Sequence, residues 1–375
     1  MPVKELRHEE LRATVEIHSP RAWRRLVRGS SGVAGAYMDG LWDCDDLVSL
    51  VRIWARRMPA LDACRRPFAT ALRLARRSPD DTRAGSRRNI AAHYDLGNDF
   101  FSLFLDESMT YSCAAFDRPD MSLREAQEAK LERACRKLRL REDDHVLEIG
   151  TGWGSFAVHA ASRYGCRVTS TTISSEQHRV ARERMREAGV EDRVRVLFED
   201  YRDVRGRYDK LVSIEMIEAV GWRGFPEYFR RCGELLTPHG SMLLQAITID
   251  DRAYEVEKAS RSFIKTFIFP GGCLPSMEMI ARCVVGQTDM SPAGVEDMTP
   301  FYPETLRRWR ERFLAAASRA ARLGYDRRFR RLWELYLSWC EAGFRERRIG
   351  DVQLLLAKPA AALRASQARA VEQAA

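Results

Sequence analysis

Three glycines and one carboxylate mark the part of this chain best able to hold a ligand. In the run His145-Val146-Leu147-Glu148-Ile149-Gly150-Thr151-Gly152-Trp153-Gly154, an apolar stretch gives way to a turn with glycine at every second position. Glycine lets backbone approach a ligand where a Cβ would intervene. The spacing is G-x-G-x-G, not the G-x-G-x-x-G of dinucleotide binders. The acid at the strand end, Glu148, suits an amine-bearing or cationic ligand better than a pyrophosphate. S-adenosylmethionine, a sulfonium with an amino-acid tail, meets that description. A glycine turn that only joins strand to helix in an α/β fold is the plainer alternative.

The elements that must position this turn follow in order. Cys166–Thr172 reads as a second β-branched strand after a helix of about ten residues, an ordinary crossover. Many adenosylmethionine folds carry an acid at the end of this strand for the ribose hydroxyls. Here the chain continues Thr172-Ile173-Ser174-Ser175-Glu176-Gln177, so hydroxyls, Glu176 and the Gln177 amide must take that role. Further strands are expected at Val194–Phe198, Lys210–Glu215 and Gly240–Ile249. Asp200 and Tyr201 follow the third and are placed to face an adenine. Val352–Ala357 is expected antiparallel beside a strand near 294–298. Strands alternating with helices predict a doubly wound, mostly parallel, Rossmann-like sheet of seven strands. Such sheets bind ligands at the carboxyl ends of their strands, where these residues lie.

The 375 residues are 45% hydrophobic, ample for one large or two modest domains. The formal charge is +9, and a basic surface attracts nucleic acid or anionic lipid alike. The nine cysteines form no C-x-x-C pair, which argues against a zinc site or a disulfide framework. They read as reduced cytosolic thiols. MPVKELRHEE has no apolar core of a signal peptide, and no apolar run is long enough to span a bilayer. The protein is therefore expected in the cytoplasm, meeting the inner face of the membrane from the side.

Three parts are expected. Residues 1–85 form a small basic helical domain for lipid or dimer contact, with 16 Lys/Arg against 11 Asp/Glu and a linker near 78–86. Residues 86–357 hold the sheet, and 358–375 an Ala- and Arg-rich flexible tail. Arg24, Arg25, Arg28, Arg56, Arg57, Arg65, Arg66, Arg76 and Arg77, with Trp23 and Trp54, are candidates for anionic headgroups, or else a solvated basic face. An insertion at about 250–290 carries Phe263-Ile264-Lys265-Thr266-Phe267-Ile268-Phe269-Pro270-Gly271-Gly272-Cys273-Leu274-Pro275. It reads either as the lining of a greasy tunnel or as a helix packed on the core.

Taken together the segments resemble the cyclopropane-fatty-acyl-phospholipid synthase family, including the mycolic acid cyclopropane synthases. The resemblance runs over about residues 30–357. It is carried by His93-Tyr94-Asp95-Leu96-Gly97-Asn98-Asp99-Phe100-Phe101, Met109-Thr110-Tyr111-Ser112-Cys113-Ala114, EIGTGWG, TISSEQ, SIEMIEAVG, IFPGGCLPS and Glu341-Ala342-Gly343-Phe344-Arg345. Ala36-Tyr37-Met38-Asp39-Gly40 and Trp42-Asp43 resemble its leading domain, which is shortened here and in the family can mediate a homodimer.

The resemblance implies transfer of a methyl from S-adenosylmethionine to a cis double bond in a phospholipid acyl chain. The resulting carbocation loses a proton from the added methyl to bicarbonate, and a cyclopropane closes. Such a cation needs a dry site, because water would trap it, and a held base removes its proton without wandering. By resemblance Cys113, Glu218, Gln245, the backbone at Ile247 and Tyr302 cradle the bicarbonate. Tyr111, Ser112, Glu148, Gly150, Gly152, Trp153, Gly154, Thr172, Ile173, Gln177, Asp200 and Tyr201 bind the cofactor. Cys340 matches a cysteine offered as a nucleophile, although its place in a buried helix favours a structural role. Many members have His at the position of Gln245, and His-Tyr-Ala where this chain has Phe301-Tyr302-Pro303. A glutamine donates a hydrogen bond but takes up no proton. A base placed differently leaves a methylene- or methyl-branched chain in place of a ring.

Other classes fit less well. A nucleic-acid methyltransferase would carry a polar-Pro-Pro-aromatic motif where this chain has Glu215-Met216-Ile217-Glu218-Ala219, whose two carboxylates repel phosphate. C-methylation of a small unsaturated natural product would make the basic surface incidental. A lipid-binding protein without catalysis would not require Glu148, Gln177, Cys113, Glu218 and Tyr302 together.

Overall fold

The computed structural model describes residues 10–71 and 96–361. The linker expected near 78–86, the His93-Tyr94-Asp95 triplet, Arg76, Arg77 and the tail beyond 361 lie outside them. No helix among the described residues is long and apolar enough to cross a membrane.

The leading segment pairs β1 (Val15–Ile17) with β2 (Trp42–Cys44) around α1 (Arg21–Leu26) and α2 (Gly29–Met38), then adds α3 (Leu47–Ala55) and α4 (Met58–Arg65). The Asp46 side chain caps α3 by accepting from the Ser49 N–H, satisfying a donor the helix leaves open. Next come α5 (Asn98–Phe101) and α6 (Leu123–Leu138). A reciprocal Ser122–Glu125 capping box starts α6.

The sheet then builds as β3 (His145–Ile149), α7 (Ser155–Tyr164), β4 (Arg167–Thr172), α8 (Ser175–Glu187), β5 (Val194–Phe198), β6 (Tyr208–Ile214), α9 (Phe225–Leu235) and β7 (Leu236–Ile249). The insertion folds as α10 (Tyr254–Ala259), α11 (Phe263–Phe267) and α12 (Met277–Gln287). The chain closes through β8 (Ser291–Asp297), α13 (Tyr302–Ala315), α14 (Ala317–Arg322), α15 (Arg327–Arg345) and β9 (Ile349–Ala357).

Strand order is β5-β4-β3-β6-β7-β9-β8. The first five are parallel, and β9 runs antiparallel between β7 and β8. This is the seven-stranded, mostly parallel sheet expected from the sequence, including the reversed pair at its edge. Chain order reverses beside β3 and β6, so the crevice for a ligand opens above their carboxyl ends.

One apolar core joins the leading segment to the helices above the sheet. Tyr37, Met38 and Trp42 share it with Phe100, Phe104, Trp309 and Trp333. Arg331 on α15 reaches back to the Tyr37 and Trp42 carbonyls, and Arg52 on α3 pairs with Glu346 just past α15. These contacts set α3 and α15 together as a roof over the ends of β6 and β7.

Candidate active site

Two cavities meet over the carboxyl ends of the central strands. The smaller, about 180 Å³, is lined by Tyr111, Ser112, Glu148, Gly150, Gly152, Trp153, Thr172, Ile173, Gln177, Asp200 and Tyr201. Of the residues expected to hold the cofactor, only Gly154 is missing from this wall. Its φ is +90°, and a Cβ there would lie 2.6 Å from Met185 Cε. Gly154 therefore lets α7 pack against α8 and does not line the cavity. Gly152, at φ +53°, has open space where a Cβ would project.

Glu148 is buried at the end of β3, and one of its oxygens accepts from Ser170, whose hydroxyl also meets Thr151. Burial pushes its pKa up to about 8, and a cationic partner beside it would favour the ionised form and bring that value back down. Gln177 serves in two ways. Its N–H is capped by Ser174, while its side chain accepts from Thr172 and faces the cavity. Asp200 holds Arg202 through two hydrogen bonds, Nε to Oδ1 at 2.8 Å and Nη2 to Oδ2 at 2.7 Å. Tyr201 rests edge-on against Tyr228. Asn98 ties the wall together by accepting from the Trp153 indole at 2.6 Å and donating to Glu176.

The larger cavity, about 860 Å³, runs from the sheet toward the leading helices. Ile264, Phe269, Cys273 and Leu274 of the insertion line it, with Trp54, Trp339, Ile247 and Phe344. The tunnel reading of the insertion thus describes the structure, although Phe263 lies in the core against Trp339. Trp54 is a correction to the surface role expected of it. It stands edge-on to Trp339, 5.3 Å between ring centroids, and faces the tunnel. Trp23 is 61% exposed.

Tyr111, Glu215 and Ala219 belong to both walls. Glu215 gathers the donors that the resemblance assigned to bicarbonate. The Cys113 N–H donates to its Oε1 at 2.8 Å, Gln245 Nε2 to the same oxygen at 2.9 Å, and the Tyr302 hydroxyl to Oε2 at 2.5 Å. Gln245 Nε2 also reaches Asp351 Oδ2 at 2.9 Å, and its carbonyl accepts from Gln353. The remaining cradle donor, the Ile247 N–H, goes to Glu218 Oε1 at 2.5 Å. Glu218 Oε2 and Asp351 Oδ1 are buried with no hydrogen-bond partner among the described residues. Cys113, Glu218, Gln245, Ile247 and Tyr302 are thus brought together, but around a carboxylate of the chain itself. Glu215 was read in sequence as the end of a strand, not as a member of the cradle.

Charge is balanced locally. Lys130 on α6 is fully buried and donates to Ser112 Oγ at 2.7 Å. Its positive charge opposes the burial that raises the pKa of Glu215, and so do the bonds from Tyr302, Cys113 and Gln245. Burial and the neighbouring Glu215 charge push Glu218 up to about 8. Burial, with the charges of Glu215 and Glu218, holds Asp351 well above the carboxylate range. One cation facing one anion, Lys130 and Glu215, with Glu218 and Asp351 largely protonated, is the arrangement that leaves least uncompensated charge.

The two cysteines act as structure. Cys113 offers its backbone N–H to the site, and burial raises its thiol well above the usual range. Cys340 borders the tunnel, but burial pushes its thiol up to about 12. A thiol so protonated is a poor nucleophile near neutral pH, which supports the structural reading of Cys340 over the catalytic one.

The family model for mycolic acid cyclopropane synthetase matches residues 81–354. Tuberculostearic acid methyltransferase UfaA1 of Mycobacterium tuberculosis is 42% identical over 342 residues, 88% of this chain and 79% of that protein. Cyclopropane-fatty-acyl-phospholipid synthase of Escherichia coli is 37% identical over 348 residues, 91% and 86% of the two chains. Among solved structures, mycolic acid cyclopropane synthase CmaA1 complexed with SAH and CTAB superposes with a TM-score of 0.68 at 33% identity, covering 72% of this chain and 98% of that one.

Proposed function

Because the chain belongs to the mycolic acid cyclopropane synthetase family of S-adenosylmethionine-dependent methyltransferases, we propose that it methylates the cis double bond of an unsaturated phospholipid acyl chain. The observation that carries this reading is the shared wall. A cavity with a buried acid and an apolar tunnel touch at Tyr111, Glu215 and Ala219, so a methyl donor and a long hydrocarbon can meet there.

When bound, S-adenosylmethionine supplies an electrophilic methyl carbon. The chain's residues do the rest. Glu148 and the glycine turn hold the polar end of the donor, and Gln177, Asp200 and Tyr201 its nucleoside. Phe269, Trp339, Ile247 and Leu274 keep water from the acyl chain, so that the cation formed on methylation is not captured as an alcohol. Tyr302 orients the Glu215 carboxylate beside it, and Glu218, itself largely protonated, relays onward the proton that the cation loses.

Ring closure with bicarbonate as base is the reaction the resemblance implies. A second product, a methylene- or methyl-branched chain, is favoured by one observation: three donors of the cradle end on Glu215, so bicarbonate has no set of donors left to hold it where ring closure requires. Similarity to a protein named tuberculostearic acid methyltransferase points the same way.

The tunnel also supports docking on a membrane surface. Val27, 87% exposed, lines the tunnel together with Arg28, Leu61 and Arg65, and Trp23 stands exposed one turn before Val27. An apolar rim with arginines is the chemistry that seats a protein on anionic headgroups and lets an acyl chain climb inward.

The test is mass spectrometry of phospholipids incubated with the protein and S-adenosylmethionine. A gain of one CH₂ per acyl chain is expected, with hydrogenation then telling a ring from a residual double bond. Transfer to a water-soluble alkene but to no phospholipid would overturn the reading.

A further inference from the structure

The donors that the family resemblance reserves for bicarbonate are already satisfied by a residue of this chain, and we infer that Glu215 is the built-in base that replaces the ion. The inference rests on the reaction proposed above and names the group that completes it.

Three observations carry it. First, the Cys113 N–H, the Gln245 amide and the Tyr302 hydroxyl all donate to one carboxylate. Donors on both oxygens are the pattern a held carboxylate or carbonate needs. Bicarbonate could reach these donors only by displacing the Glu215 carboxylate from them. Second, the backbone at Glu215 is unusual. Its φ is +48°, in the left-handed region where glycine is at ease and a side chain is strained. Strain of this kind persists where the surroundings hold the residue in place, commonly at functional sites. The turn after β6 thus spends conformational energy to aim this side chain at the cradle. Third, Glu215 lines both cavities, so its carboxylate borders the space in which the methyl donor and the alkene meet.

The chemistry balances without a further reagent. The alkene π pair forms the new bond to the methyl carbon as the methyl–sulfur bond breaks, and sulfur keeps that pair. The adjacent chain carbon is left cationic. A Glu215 oxygen takes a proton from the added methyl or from the neighbouring CH₂. The released C–H pair closes a three-membered ring in the first case and forms a carbon–carbon double bond in the second. The proton leaves Glu215 for solvent when the product withdraws from the tunnel. A carboxylate could instead be alkylated by the cation. Hydrogen bonds to both of its oxygens lower that nucleophilicity and fix the direction of approach.

The buried lysine fits the same role. Glu215 must be ionised before it can act. Lys130, buried on α6 behind Ser112, is the cation that stabilises its charge.

The experiment uses the full chain with vesicles of cis-unsaturated phospholipid and S-adenosylmethionine, in buffer stripped of carbon dioxide or supplemented with bicarbonate. Wild-type turnover is expected to be equal in the two buffers. Glu215→Gln should lower turnover about a hundredfold or more while S-adenosylmethionine affinity, read by calorimetry, changes by less than about threefold. Glu215→Gly suits the backbone and empties the cradle, so its lost activity should return in part with bicarbonate. That rescue is a readout a structural role would not give. Wild-type turnover that falls with carbon dioxide removal, or Glu215→Gln that turns over normally, would overturn the inference and leave the lipid reaction standing. Absence of any lipid product from wild type in both buffers, with S-adenosylmethionine still bound, would overturn the proposed function and the inference with it.

Discussion

Tyr302 and Glu215, 87 positions apart in the chain, meet hydroxyl to carboxylate at 2.5 Å, the tyrosine buried and the glutamate half-buried at the cavity wall. Tyr302 opens α13 and is stacked on Phe344 of α15 at 4.1 Å between centroids. Its hydroxyl is thereby aimed without rotational freedom. The pair links the helical roof to the end of β6, so the site is complete only when both layers are assembled.

Tyr302→Phe should therefore cost activity without emptying the cofactor cavity. Loss of a hydrogen bond to a buried charged group is worth about 1.5–3 kcal/mol, or roughly ten- to a hundredfold in rate if the bond is strongest in the transition state. Steady-state kinetics on vesicles should show kcat reduced with S-adenosylmethionine affinity retained. Equal loss of both would assign Tyr302 to folding alone.

Glu218→Gln separates the second carboxylate from the first. Glu218 is held by the Ile247 N–H and leaves Oε2 without a partner. The amide keeps the shape but cannot relay a proton away from Glu215, so product formation should fall by about a hundredfold while isothermal titration with S-adenosylmethionine is unchanged. If binding fell in parallel, Glu218 would be shaping the cofactor cavity.

Much of this architecture is legible in sequence because it is local. The alternation of strand and helix and the glycine turn follow from patterns a few residues long, whereas the reversed edge pair joins β8 to β9 across more than fifty residues and is expected only by analogy with other adenosylmethionine folds. The cradle is not local. Its donors come from Cys113, Gln245 and Tyr302, and only the folded sheet brings them to Glu215. Lys130 and Asp351 were equally hidden, because a lysine on a helix and an acid before a strand read as solvated. A signal for Lys130 did exist. It falls on the same helical face as Leu123, Ala126, Gln127, Leu131 and Ala134, all buried, where a solvated lysine does not belong. For Glu215 the signal was a carboxylate at the end of a buried strand, three residues before a second one.

The two glycines of the turn should fail differently. A side chain at Gly152 meets open cavity, whereas one at Gly154 meets Met185 Cε at 2.6 Å. Gly152→Leu, strained at φ +53° by about 1–2 kcal/mol, should still leave a folded protein whose S-adenosylmethionine affinity is reduced more than about a hundredfold. Gly154→Ala should mainly lower stability, by about 1–3 kcal/mol. Calorimetric titration with thermal denaturation distinguishes the two, and unchanged affinity in Gly152→Leu would refute this placement of the cofactor.

Stability of the ligand-free protein should fall as pH rises toward 8. Glu148 and Glu218 each have a pKa pushed up to about 8 from the ordinary 4.5. Between those values the unfolded chain releases protons that the folded chain retains, so unfolding gains ground as pH increases. The stabilising effect is complete below about 4.5 and gone once pH passes 8. Melting temperature followed from pH 5 to 8.5 should decline over that window, and Glu148→Gln should flatten part of the decline. A melting temperature that rose through the window would mean that both acids are already ionised in the folded state.

Docking on lipid should be partly electrostatic and partly apolar, because the tunnel rim combines Arg28 and Arg65 with Val27 and Leu61. Sedimentation with vesicles containing anionic phospholipid should show binding that weakens from low to physiological salt, as screening shortens the reach of the arginines to about 8 Å. Val27→Asp places a like charge against the headgroups and removes apolar contact. It should weaken vesicle binding about tenfold or more, and turnover on vesicles with it, while a detergent-dispersed lipid remains a substrate. Binding indifferent to both salt and Val27→Asp would place the lipid contact on a different face and leave the rim as a simple opening.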